Sequence, residues 1–141
     1  MGRVISTQNL STERNRLIKA IVVALRELGK QGAYGDESRD LAAFLAAALE
    51  TVAETVERSV LPWEKRGYWL KADRFRMDWA WVDSLAKQMK KAVLEEDLGG
   101  IAQSAATLGA KLKDVDVPKT HRLGTPWIGA WGKLRAEEER K

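Results

Sequence analysis

The sequence predicts an all-α fold, an antiparallel up-down-up-down four-helix bundle with a short fifth helix at the C-terminus. Three observations lead there. The 141 residues include only three prolines, and long runs of Ala, Leu, Glu, Lys and Arg lose little side-chain freedom in a helix. Within those runs apolar residues recur every three or four positions. The breaks between them are short and rich in glycine and polar residues, which favours antiparallel neighbours. The length suits one helical domain over 1–141. No internal repeat and no convincing strand is visible.

Residues 1–9 are expected as an N-terminal arm. Asn9 or Ser11 can cap a first helix to about Leu28, with Leu17, Ile21, Leu25 and Leu28 on one stripe and Arg16, Lys19, Arg26 and Lys30 opposite. The glycines of "GKQGAYG" stop it. No strand precedes them and no Gly-Lys-Ser/Thr follows, so they read as a connection and not as a phosphate loop.

Asp36 is expected to cap a second helix to about Val60, its core stripe running Leu41, Leu45, Ala48, Val52, Val56. The opposite face begins with Ala43, Ala46 and Ala47 and continues with Glu50, Glu54 and Glu57. Alanines facing outward imply a neighbour on that side, from a later segment or a second subunit. Pro62 is read as a boundary or the first turn of a new helix, and the third helix as some or all of 63–96.

Asp97 can cap a fourth helix, roughly 98–113, with Leu98, Ile101, Ala105, Leu108 and Leu112 inward. Residues 114–125 are expected as a loop. Thr125 then Pro126 is a helix-start pair, so 126–136 is expected as a docking helix that carries Trp127, Trp131 and Leu134 at i, i+4, i+7. The charged tail 137–141 is expected to fray. Charge supports one pairing, since residues 1–35 carry six basic and two acidic side chains and residues 36–61 two basic and six acidic.

Composition removes several function classes. There are no cysteines, hence no disulfides, thiolate metal sites or cysteine nucleophiles, and a cytoplasmic setting is expected. The longest apolar run, "LAAFLAAAL", is too short to span a bilayer, so no membrane partner is expected. "MGRVIS" formally fits a myristoylation pattern but has no basic cluster beside it, and is read as a chance match. The single histidine, His121, excludes a Glu-x-x-His di-iron site. Asp114 and Asp116 lack the glycine and distal glutamate of a calcium loop. Neither a metal nor another cofactor is expected. No Gly-x-Ser-x-Gly, P-loop or dinucleotide fingerprint occurs, so catalytic residues are not expected either.

What remains is "GYWLKADRFRMDWAWVDSL", residues 67–85, with five of the ten aromatic residues. At 100° per residue, Tyr68, Phe75, Trp79, Val82, Ala86, Met89 and Val93 share a face, with Met77, Trp81, Leu85 and Ala92 beside it. Arg74 and Asp78 fall within this apolar arc at ion-pair spacing. Trp69 and Trp81 flank them. A non-enzymatic interaction or oligomerisation module is therefore expected, contacting a protein partner or its own copy through Trp69, Arg74, Asp78, Trp81, Ala43 and Ala47. The alternative is a nucleic-acid or anion-binding module built on Arg74 and Arg76, and on Lys119, His121 and Arg122 beside the free N–H groups of the 125–126 helix start.

Overall fold

The computed structural model describes residues 7–141, with side chains from Asn9 onward. Five helices follow in order: α1 (Thr7–Gly29), α2 (Asp36–Lys65), α3 (Trp69–Leu94), α4 (Leu98–Lys111) and α5 (Ala130–Glu139). No strand occurs among the described residues, and the architecture is the all-α bundle with a short C-terminal helix that the periodicity predicts. The expected arm shortens, because α1 already starts at Thr7. Residues 1–6, the rest of the arm and the "MGRVIS" pattern, lie outside the described residues.

α2 is the axis of the molecule. It packs against α1, α3 and α5, and its buried residues include Leu41, Ala42, Ala43, Leu45, Ala46, Leu49 and Val52, which point to several sides. A helix buried on several sides reads as apolar all round. This corrects the expectation for the alanines: Ala43 and Ala46 are buried inside the monomer, and Ala47 alone of the three is exposed. The cover comes from the later segment. Asp40 on α2 accepts hydrogen bonds from Gly129 N (3.0 Å) and Trp131 N (2.9 Å), clamping the start of α5 to the turn that precedes Ala43. Lys90 bridges Glu50 and Glu138 at 3.8 and 3.2 Å, so α5 runs parallel to the first half of α2. Trp127 and Leu134 are buried, and the final segment docks in cis.

The ends differ from the expected ones for local reasons. Gly35, not Asp36, is the N-cap of α2, with Ser38 returning a hydrogen bond to its N–H. Pro62 does not break α2, which continues to Lys65. A proline this near the C-terminus costs one ladder bond, and the last turn closes around it. Gly67 ends the helix at φ +81, with Tyr68 N donating to Trp63 O and Gly67 N to Glu64 O, a Schellman closure. Asp97 caps α4 as expected, accepting from Gly100 N at 3.0 Å. Leu98, expected inward, is 52% exposed because it sits on the first, open turn of α4. Residues 126–129 form a turn, so α5 begins later than the 126–136 expected, and it continues through Glu139 where fraying was expected.

The segment between α4 and α5 folds back along α1, where Arg26 donates to the carbonyls of Val117 and Pro118. α1 and α4 meet only sparsely. A largely apolar cleft of about 480 Å³ lies between them, lined by Leu25, Leu28, Tyr34, Ile101 and Ala105 among others.

Candidate interaction surface

Unequal helix lengths create the site. α3 has 26 residues and α4 only 14, a difference of about three turns or 18 Å. α4 starts beside the end of α3 and runs back to Lys111, whose Nζ sits 5.7 Å over the Trp81 ring. Among the described residues, the half of α3 before Trp81 has no fourth helix beside it. Its apolar pattern continues all the same, so the segment is written for contact on a side where the described residues supply none.

Beneath this open half lies a ladder of rings. Trp63 meets Phe75 edge-on at 5.3 Å, Phe75 lies 6.4 Å from Trp79, and Trp79 stacks on Trp81 at 6.3 Å. Arg14 of α1 closes the ladder from below, its guanidinium 5.1 Å from the Phe75 ring and 5.5 Å from that of Trp79. Arg14 is buried and has no carboxylate partner among the described residues. Its acceptors are the hydroxyls of Thr55 and Ser59, each at 3.2 Å. Loss of water pushes its pKa down, and the two hydroxyls and two ring faces offset part of that cost. Sequence reading missed Arg14. Its signal was position, in phase with Leu10, Ile18 and Ile21 on the buried stripe.

The outer layer is exposed and apolar. Leu70 is 67% exposed, Met77 75%, Trp69 59% and Tyr68 52%. Tyr68, expected in the core with Phe75 and Trp79, is the N-cap residue of α3 and lies outside the packed stripe, and Phe75 and Trp79 are half-buried. A shallow depression beside Trp63 and Trp69 also takes in Lys71, Arg74 and Asp78. Arg74 and Asp78 do not form the ion pair their spacing permits. Both are exposed, because no α4 residue reaches far enough to bury them. Lys71, over the Trp63 ring at 4.4 Å, also forms no ion pair among the described residues. The neighbouring Arg76 is engaged: it holds Glu57 at 3.0 Å and Glu64 at 2.7 Å. Hydrogen bonds to those two carboxylates raise its pKa well above the ordinary value.

The second predicted site is not assembled in the same way. Lys119 and Arg122 are exposed, and His121 is half-buried, with its Nδ1 accepting from Leu123 N at 3.2 Å. The N–H groups expected to join them, those after the Thr125–Pro126 pair, have partners: Ile128 N donates to Thr125 O, and Gly129 N and Trp131 N donate to Asp40. A groove beside Lys119 and His121 also contains Glu27 and Asp116, which oppose an anion. The 119–122 cations sit near Arg26, twelve residues along α1 from Arg14 and the ring ladder, or about 18 Å. The basic residues of the nucleic-acid reading therefore fall into two separate groups.

No helix among the described residues is long and apolar enough to cross a membrane. No family model, curated protein or solved structure matches the chain, and the surface is read from its own geometry.

Proposed function

We propose that this protein is a non-enzymatic interaction module, and that it docks a protein helix, its own or another's, along the open half of α3. One observation carries the reading: Leu70, Trp69 and Met77 are each more than half exposed on a helix whose other half is covered by α4. Large apolar side chains contiguous on a surface mark contact sites, and tryptophan is enriched among the residues that anchor them. Arg74 lies within this surface, between Leu70 and Met77, and Asp78, free of Arg74, supplies charge at its rim. Trp81 and Lys111 form the floor where the open half ends. Ala47 lies on the α5 side of α2 and belongs to no part of this surface, and Ala43 is buried. The cytoplasmic setting expected from the cysteine-free sequence belongs to the same proposal.

Crosslinking tests it. A photoreactive phenylalanine analogue at position 77, in the native host, is expected to give adducts of defined mass, while the same residue at the exposed position 87 gives none. Silence at both positions would remove the reading.

A further inference from the structure

The open face of α3 is complementary to itself, and we propose that its occupant is the same face of a second copy of this chain, packed antiparallel. The proposal rests on the interaction reading above and specifies its partner. Leu70, Arg74, Met77 and Trp81 follow one another at intervals of four, three and four residues, the spacing of a coiled-coil seam. They continue, beyond the end of α4, the stripe that Leu85 and Ala92 bury further along α3, and lie away from Ala72, Ala86 and Met89.

Consider a twofold axis between Phe75 and Arg76. Leu70 then lies opposite Trp81 of the second copy, and Arg74 opposite Met77 of the second copy. Both layers are repeated by symmetry, as a closed twofold contact requires. The flanking positions decide orientation. Lys71 and Asp78 hold the same flanking position one heptad apart, and the antiparallel pairing sets Lys71 of each copy beside Asp78 of the other, about 3 Å off level, giving two reciprocal ion pairs between side chains that have none among the described residues. A parallel arrangement would instead set Asp78 against Asp73 of the second copy, a like-charge pair repeated by symmetry. The overlap has a natural end, since the α3 start of the second copy meets the end of α4 where Lys111 covers Trp81. Each copy thus fills the fourth corner that the other lacks. A contact of about three turns is at the small end of specific interfaces, and a Kd on the order of 10–100 µM is expected.

Sedimentation equilibrium of the full chain from about 5 to about 500 µM tests this, with Lys71→Asp, Asp78→Lys and the double variant. All these positions are exposed, and thermal melts check that each variant stays folded. The wild type is expected to show a reversible monomer–dimer equilibrium. Each single change places like charges together twice per dimer and should raise Kd about tenfold, and the double variant should return to within about threefold of wild type. A wild type that stays monomeric overturns the proposal. So does a dimer that ignores the single changes, or one that the double variant fails to restore. A monomeric chain with position-77 adducts to a different protein ends the self-pairing but keeps the interaction reading, whereas a monomeric chain with no adducts ends both.

Discussion

The carboxylate of Asp40 accepts the backbone N–H of Trp131 at 2.9 Å across 91 positions of sequence, and its other oxygen accepts that of Gly129 at 3.0 Å. One side chain on α2 thereby satisfies donors at the start of α5 that would otherwise be orphaned. It also places negative charge where the helix dipole is positive.

Removing that clamp is expected to cost about 1–2 kcal/mol, the range for helix N-caps. Asp40→Ala should lower the urea midpoint accordingly, and Asp40→Asn, which keeps one acceptor, should lower it less. Amide exchange should speed up at Gly129 and Trp131 before the rest of the core. A change under about 0.3 kcal/mol would show that the aromatic contacts alone hold α5.

Arg14 makes the opposite kind of prediction. Replacing a buried cation by an apolar side chain of similar length is often close to neutral, so Arg14→Met should change stability by no more than about 1 kcal/mol. Thr55 and Ser59 keep partners of their own, donating to the carbonyls of Val52 and Thr55. Stripping the acceptors while leaving the cation, in Thr55→Val/Ser59→Ala, should cost about 2–4 kcal/mol. If the arginine substitution proves the costlier of the two in chemical denaturation, the guanidinium is a net stabiliser and this account of it is wrong.

Acid should act through Glu64. Its hydrogen bond to Arg76 holds its pKa below the ordinary 4.5, against a desolvation that alone would raise it. A depressed carboxylate stabilises the fold at pH values above its unfolded pKa, and that contribution is lost as pH falls through the folded value. Unfolding free energy followed from pH 6 to about pH 3 should fall more steeply for wild type than for Glu64→Gln. Parallel profiles would mean that the pair contributes nothing.

Two adjacent glycines at the start of α4 should respond in opposite ways. A Cβ added at Gly99 meets nothing closer than 3.6 Å. Gly99→Ala should therefore stabilise by about 0.5–1 kcal/mol through chain entropy. At Gly100 the added Cβ would lie 2.6 Å from Asp97 Oδ2 and 3.1 Å from Ala92 Cβ. The carboxylate can move, but only by giving up the cap it makes with Gly100 N. Gly100→Ala should thus be neutral or destabilising in a thermal melt, and equal gains at both sites would contradict the cap's importance.

Most of the helical plan was legible because periodicity reports which face is buried. The Asp97 cap and the burial of Trp127 and Leu134 are local patterns that appear in the fold, whereas of the Leu17–Leu28 stripe only Ile21 is fully buried and Leu17, Leu25 and Leu28 pack half-buried against the core. Length matching between helices was not legible. Nothing near Arg74 reveals that α4 ends at Lys111, yet that distant stop leaves Arg74 and Asp78 exposed and unpaired. The alanines of α2 misled for a related reason: their cover arrives some 90 residues later, and Asp40 carries no local mark of holding it. Gly67 was readable in principle as a helix stop, but Pro62 drew the boundary earlier than the backbone does.

The distance in sequence between Asp40 and α5 also bears on the order in which the molecule assembles. α2 and α3 are joined by three residues and share a long contact, so their hairpin closes a short loop at small entropic cost. α5 must wait for the chain to return across nearly the whole domain. Contacts formed that late are expected to lie beyond the folding barrier, so Asp40→Ala should speed unfolding in stopped-flow experiments while leaving refolding nearly unchanged. On that expectation the clamp at Asp40 acts as a latch on the finished bundle, setting how long the folded chain persists more than how fast it forms.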